Sequence, residues 1–83
     1  MTKSLRTAGH LALMQALVEA RRNSGLTQQE LADRLGRSQS FVAKIETGER
    51  RVEVIELIEI AQLLGVSALT LLGPVEAALQ GRA

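Results

Sequence analysis

A connection of about three residues between two helical segments constrains this chain more than any other feature of its sequence. The stretch LTQQEL opens the first segment, where Thr27 can cap a helix and Glu30 can return a bond to the cap amide. That helix is expected to end near Leu35, where Gly36 supplies the backbone freedom that a tight turn needs. Ser38, another good N-cap residue, begins the next segment. The pattern predicts two helices that meet at a tight turn.

Breaker residues divide the rest of the chain into further short helical segments. Helix 1 is expected over about residues 11–23, helix 4 over about 54–64, and a fifth helix over about 67–72. The dipeptide GP at 73–74 is expected to stop the fifth helix, and residues 74–80 form either a last helical turn or a frayed end. No stretch alternates between apolar and polar residues, so no sheet is expected. The chain is therefore predicted to be an all-α domain of five short helices.

The predicted core is aliphatic, because 46% of the 83 residues are hydrophobic and only 1% are aromatic. In helix 1 the apolar stripe is expected to comprise Leu11, Met14, Leu17 and Val18. In helix 4 the predicted stripe is wider and comprises Ile55, Leu57, Ile58, Ala61 and Leu64. Three acidic residues are expected on the solvent side of helix 4, namely Glu53, Glu56 and Glu59.

Several function classes lack the residues they need. The chain has no cysteine, and its single histidine is His10, so neither a disulfide nor a metal site is expected. Neither a GxSxG nucleophile motif nor a phosphate-binding loop occurs, which argues against an enzyme and against a cofactor. No apolar run approaches the roughly 18 residues that span a bilayer, and no signal-peptide layout opens the chain. We therefore expect a cytoplasmic, non-enzymatic protein without membrane association or a small-molecule ligand.

Charge is distributed unevenly along the chain. Residues 1–51 carry nine basic and five acidic side chains, whereas residues 52–83 carry one basic and four acidic side chains. Such an asymmetry is typical of a chain with one end facing nucleic acid, but ordinary scatter accounts for it equally well. Charge alone leaves both interpretations open.

Helix 3, which is expected to start at Ser38 and stop at Gly48, has one apolar side and one side of short polar residues. The apolar side is expected to comprise Phe41, Val42 and Ile45, and the polar side Gln39, Ser40, Ala43, Lys44 and Thr47. Such a surface could lie against something flat, polar and negatively charged. On an isolated helix, the same face would be interpreted as the solvated side of an amphipathic segment.

These segments together resemble a known family. LTQQELADRLGRSQSFVAKIETGERR, followed by VIELIEIAQLLGVS, is similar to the Xre-type helix-turn-helix of phage repressors and Cro proteins. The resemblance covers about residues 11–72 and implies a lambda-repressor-like fold. It places Ala32 where the two helices approach, and Val42 with Ile45 on the buried side of the recognition helix. Arg37 departs from the pattern, which more often has a small apolar residue there. It could be a phosphate contact or an exposed turn residue.

The resemblance also implies roles for individual residues. The positions that face the bases are occupied by Ser38, Gln39, Ser40 and Lys44. The positions expected to contact phosphates are occupied by Gln28, Arg50 and Arg51. Arg21 and Glu46 match a partly buried ion pair that locks helix 1 to the helix pair.

The implied partner is double-stranded DNA, and the implied function is transcriptional regulation. One recognition helix reads only a few base pairs, so a homodimeric repressor on a palindromic operator is expected. Residues 1–10 would be an N-terminal arm, 11–72 the DNA-binding domain, and 73–83 a tail or short helix that contributes to the dimer contact. Four apolar residues that exceed the needs of the core are expected in that contact, namely Leu71, Leu72, Val75 and Leu79.

Two alternatives stay open at this point. Val75 and Leu79 could fold back onto helix 1 and complete the core of a single chain. The whole domain could instead be a protein-interaction module, such as the antitoxin of a toxin–antitoxin pair.

Overall fold

Five α-helices make up residues 7–81, the part of the chain that the computed structural model describes. They are α1 (Ala8–Asn23), α2 (Gln28–Leu35), α3 (Gln39–Thr47), α4 (Val54–Leu64) and α5 (Ala68–Leu79). Within residues 7–81 every regular element is a helix, so the prediction of an all-α domain with five short helices is confirmed.

The tight turn between α2 and α3 forms as the sequence predicts. At the start of α2 the Thr27 hydroxyl accepts the Glu30 N–H at 3.0 Å, and the Glu30 carboxylate accepts the Thr27 N–H at 2.9 Å. The Thr27 backbone N–H, followed by the Thr27 side chain, lowers the pKa of the Glu30 carboxyl by stabilising its charged form. Gly36 ends α2 with φ at 71°, a left-handed conformation that favours glycine. The Ser38 hydroxyl then caps α3.

A single core holds the five helices together. α1 packs against α3 and α5, α2 contacts α3 and α4, and α4 contacts α5. The buried hydrophobic residues are Leu17, Leu31, Ala32, Phe41, Val42, Ile45, Leu57, Ile60, Ala61, Leu64 and Leu71. Full burial of a residue such as leucine stabilises the fold by about 1.5–3 kcal/mol. Because the inner side of α3 is part of this core, its outer side has a fixed direction.

The first helix begins earlier than the sequence suggested. α1 starts at Ala8, because the Thr7 hydroxyl caps it by accepting the His10 N–H at 3.2 Å. The C-terminal part of the expected arm 1–10 is therefore helical, and residues 1–6 lie outside the described residues.

The buried side of α1 is also rotated from the predicted stripe. Of the four predicted residues only Leu17 is buried, Leu11 is exposed, and Met14 and Val18 are half-buried. The core instead receives further contacts from Leu13, Ala16 and Ala20. α1 packs against two helices, α3 and α5, so its buried side is set by both contacts together.

The predicted end of the fifth helix was wrong. α5 continues through Gly73 and Pro74 to Leu79. Proline lacks the N–H that a helix interior needs, which normally ends a helix. Here both breaker residues lie on the exposed side, and the inward residues Leu71 and Val75, four apart, keep the same face towards α1 on either side of the proline.

The buried side of α4 also differs from the prediction. Ile55 is 66% exposed and Ile58 is 39% exposed, whereas Ile60 is buried. Glu56, which was expected in solvent, is buried too. α4 carries apolar residues around most of its circumference, so periodicity alone cannot locate the centre of its buried side.

Candidate nucleic-acid interface

The outer side of α3 is an exposed polar surface with a fixed orientation. Phe41, Val42 and Ile45 are buried, as predicted for the apolar side. The four residues predicted to face bases are all exposed, namely Ser38, Gln39, Ser40 and Lys44. The structure therefore leaves every residue of the predicted base-facing set accessible to a partner.

Gln28 connects α2 to this surface. Its side-chain oxygen accepts the Gln39 side-chain N–H at 2.7 Å, and its own amide nitrogen donates to Glu46 at 2.8 Å. A carboxylate can only accept, so the Glu46 contact dictates which way the Gln28 amide points. That orientation leaves the Gln28 oxygen for Gln39 and restrains the rotamer of Gln39 at the first turn of α3.

The Glu46 carboxylate that Gln28 contacts also forms an ion pair with Arg21. Arg21 Nε lies 2.7 Å from Glu46 Oε2, and Arg21 Nη2 lies 3.0 Å from Glu46 Oε1. Arg21 Nη1 donates to the Leu26 carbonyl at 2.8 Å. The hydrogen bond to Glu46 raises the pKa of the Arg21 guanidinium. A bidentate pair of this kind is geometrically specific, so it fixes the end of α3 to α1.

The two arginines that follow α3 differ in their surroundings. Arg51 is exposed. Arg50 forms a bidentate pair with Glu56, with Nη1 2.9 Å from Oε1 and Nη2 3.0 Å from Oε2. That hydrogen bonding raises the pKa of Arg50. Much of the positive potential of Arg50 is therefore balanced within the protein.

Sequence reasoning missed a cluster of four side chains beside α3. The guanidinium of Arg37 lies 3.8 Å from the centre of the Phe41 ring, and that of Arg50 lies 4.6 Å from it. Arg37 also donates to Glu56 at 3.4 Å. The arginine that seemed to be either an exposed turn residue or a phosphate contact thus takes part in a tertiary contact. Its four-residue spacing from the chain's one aromatic residue was the available signal.

Hydrogen bonding makes Glu56 strongly acidic. The Arg50 guanidinium, helped by the Glu53 N–H at 3.0 Å and by Arg37, holds the pKa of the Glu56 carboxyl at about 2. The carboxylate is therefore charged at physiological pH, and its pairing with the guanidinium groups of Arg50 and Arg37 is what allows it to be buried on α4.

The residues predicted for a dimer contact do not share one environment. Leu71 is only 2% exposed, so its assignment to a contact surface was wrong; it belongs to the core of the single chain. Val75 is half-buried, while Leu72 and Leu79 are exposed. Leu79 also lies against Gly9, where a Cβ atom would come within 2.8 Å of it. α5 therefore packs back on α1, as the alternative interpretation has it, but leaves apolar surface uncovered.

Among residues 7–81 no group of three His, Cys, Asp or Glu side chains is arranged to hold a metal ion. No helix of this region is long and apolar enough to cross a membrane.

Comparison with known proteins places this architecture among helix-turn-helix proteins. The family model described as Helix-turn-helix matches residues 17–71. An uncharacterized HTH-type transcriptional regulator of Sinorhizobium fredii, y4dJ, is 46% identical over 56 residues, which cover 68% of this chain and 73% of that protein. The solved structure of an XRE-family like protein from Pseudomonas syringae pv. tomato matches with a TM-score of 0.79 and 47% identity. That match covers 92% of this chain and 93% of the other.

Proposed function

Because the chain belongs to the XRE-type helix-turn-helix family of transcriptional regulators, we propose that it is a homodimeric repressor that binds a palindromic operator. It acts in the cytoplasm, and α3 enters the major groove. The observation that carries the proposal is the exposed polar side of α3, on which the Gln39 side chain is already oriented by Gln28. A preorganised donor and acceptor loses less entropy on binding than a mobile one.

Base readout is assigned to the exposed surface of α3 and its cap. The Gln39 amide can pair with adenine N6 and N7, and Lys44 can donate to guanine O6 or N7. Ser38 and Ser40 carry short hydroxyl groups, which donate or accept according to the base they meet. None of these side chains is bulky enough to hold the helix away from the groove.

Phosphate contact is assigned to residues on both sides of α3. Gln28 lies at the N-terminus of α2, where backbone N–H groups and the helix dipole favour an anion. Arg51 is exposed after α3, and Arg50 can still donate from the guanidinium N–H groups that its pair with Glu56 does not use. Such contacts fix the register of the protein on DNA without reading its sequence.

Selection of sites from random duplex DNA, followed by titration of variants, tests this assignment. We expect Gln39→Ala to cost about 1–3 kcal/mol on the preferred site and to relax one base position. We expect Arg51→Ala to weaken binding to all sequences nearly equally, because it removes a phosphate contact. Gln62→Ala, an exposed glutamine on α4, is the matched control and should change neither quantity. An unchanged base preference in Gln39→Ala would contradict the groove assignment.

Salt dependence gives a separate measure of the phosphate contacts. If a dimer neutralises about 6–10 phosphates, its affinity should fall by roughly 10³–10⁵ between about 50 and 200 mM salt. The slope for Arg51→Ala should be smaller than that of the parent protein. Affinity that does not change with salt would rule out an electrostatic interface.

The homodimer is proposed to use the exposed side of α5. Leu72, Val75 and Leu79 share one side of that helix, and Leu72 and Leu79 are exposed in the single chain. A two-fold dimer would present two copies of α3 to half-sites about 34 Å apart. Sedimentation at micromolar concentration should show a dimer for the parent and a monomer for Leu72→Asp. Thr70→Asp, on another side of α5, should stay dimeric; dimerisation of both variants would move the contact elsewhere.

A further inference from the structure

A single carboxylate joins both ends of α3 to α4. Glu56, in the first turn of α4, is bonded to Arg37 in the turn before α3 and to Arg50 in the loop after it. The Glu56 side chain is 11% exposed, whereas those of Arg37 and Arg50 are 40% and 34% exposed. The contacts therefore lie at the edge of the protein, with the anion on the inside and the two cations on the outside.

Phe41 lies between Arg37 and Arg50, the two arginines that are bonded to Glu56. It projects from the buried side of α3, and both guanidinium groups contact its ring. The carboxylate, the two arginines and the ring together, here called the Glu56 bridge, restrain the turn, the helix and the loop at once. The Arg21–Glu46 pair on the α1 side restrains α3 only near its C-terminal end.

We propose that Glu56 is a positioning residue for DNA recognition, which sets the orientation of α3 through the two arginines and Phe41 without touching DNA itself. This inference rests on the proposed function, because it assumes that α3 reads bases. Base-edge hydrogen bonds need donor and acceptor positions within a few tenths of an ångström, whereas phosphate contacts tolerate displacement. Loss of the bridge should therefore reduce discrimination between sequences more than it reduces general attraction to DNA.

If electrostatic attraction alone mattered, loss of the Glu56 charge would strengthen binding to the preferred site, which is the opposite of what a positioning role predicts. Removing a negative charge next to a DNA-facing surface raises the net positive charge and frees two guanidinium groups, which should strengthen binding to every duplex. A positioning role predicts weaker binding to the preferred site together with equal or stronger binding to unrelated DNA. The two explanations can therefore be separated by the direction of the change.

Glu56→Gln removes the charge and little else. Glutamine has almost the same shape, and its side-chain oxygen can still accept the Glu53 N–H that caps α4. Glu59→Gln is the matched control, because it makes the same change of charge at an exposed position on the same helix. Arg37→Gln serves as a second variant, since it removes the longer contact at 3.4 Å and keeps the shorter Arg50 pair.

The measurement is the ratio of affinities for the selected site and for a scrambled duplex, at one salt concentration and a temperature at which circular dichroism shows each variant folded. We expect this ratio to fall about tenfold in Glu56→Gln, as for the loss of one charged hydrogen bond, and by less in Arg37→Gln. It should stay unchanged in Glu59→Gln. Should Glu56→Gln not remain folded, a reduced ratio in Arg37→Gln supports the inference and an unchanged one overturns it.

The result that would overturn the proposed function differs from the result that would overturn only this inference. If the parent protein distinguishes no duplex from any other, the proposed function fails and the inference fails with it. If the parent discriminates and Glu56→Gln discriminates equally well, only the inference is overturned. Amide hydrogen exchange without DNA gives a second measurement. The amides of residues 39–47 should exchange faster in Glu56→Gln than in Glu59→Gln. Equal exchange in the two variants would overturn the inference irrespective of DNA binding.

Discussion

Replacing Glu46 by alanine should remove a large share of the stability of this protein. The Glu46 carboxylate accepts three hydrogen bonds, from Arg21 Nε at 2.7 Å, from Arg21 Nη2 at 3.0 Å and from Gln28 Nε2 at 2.8 Å. In Glu46→Ala the Arg21 guanidinium would keep only its hydrogen bond to the Leu26 carbonyl, at 2.8 Å. A cation left buried without its anion is the costly part of the change.

The magnitude follows from burial. The Arg21 and Glu46 side chains are 9% and 7% exposed, so water screens their interaction little. Removal of one partner from such a pair costs roughly 3–5 kcal/mol. A domain of this length has a total stability of roughly 4–12 kcal/mol, at about 0.05–0.15 kcal/mol per residue. The variant should therefore unfold at a midpoint lower by at least about 12 °C, and it should be partly unfolded under conditions where the parent is folded.

Urea unfolding followed by far-UV circular dichroism measures the loss directly. The dependence of the unfolding free energy on urea should stay the same while the midpoint falls. Glu19→Ala, an exposed glutamate on α1, is the control and should change stability by no more than about 0.5 kcal/mol. The double variant Arg21→Met/Glu46→Leu should recover part of the loss, because it leaves no buried charge unpaired. A Glu46→Ala loss below about 1 kcal/mol, or a double variant that costs the sum of the two single changes, would refute the reasoning.

Three further predictions concern the acid range, the core and α5. The folded-state pKa of Glu56 at about 2 lies below its unfolded value, so its contribution is present above about pH 5 and is lost as pH falls towards 2. Urea unfolding at a series of pH values should show that the parent loses about 1–3 kcal/mol of unfolding free energy in this window, and that Glu56→Gln loses much less. Leu71→Ala should lower the free energy of unfolding in urea by about 2–5 kcal/mol. A reduction below about 1 kcal/mol would mean that α5 separates easily from the core. Pro74→Ala restores a helical N–H on an exposed side and should raise stability by about 1–3 kcal/mol; a lower urea midpoint would mean that the packing of α5 on α1 needs the proline.

Local signals in the sequence were enough for the helix pair and for its exposed surface. The reciprocal cap of Thr27 and Glu30, the glycine at position 36 and the Ser38 cap each act over three or four residues. Such short-range signals do not depend on the rest of the fold. The apolar side of α3 was likewise predictable, because its three buried residues alternate with polar ones at helical spacing.

The Glu56 bridge and the end of α5 could not be predicted in the same way. Glu56 and Arg37 are far apart in sequence, and a carboxylate on a helix is normally solvated, so its burial depends on two cations that only the packing of α4 brings to it. The helix stop at Gly73 and Pro74 is correct for an isolated segment. The predicted stop does not hold in the folded protein, because the contact of α5 with α1 offsets the cost of the one hydrogen bond that proline cannot make.

The sequence by itself determined where α2 and α3 lie, where the tight turn between them falls, and which side of α3 stays polar, since each of these depends on neighbours within one or two turns of helix. The tertiary structure decided which side of α4 faces the core, that Leu71 is inside rather than available to a partner, and that Arg50 is paired with Glu56. Those outcomes depend on contacts between residues distant in the chain, where burial and pairing of charges outweigh the preference of any single helix.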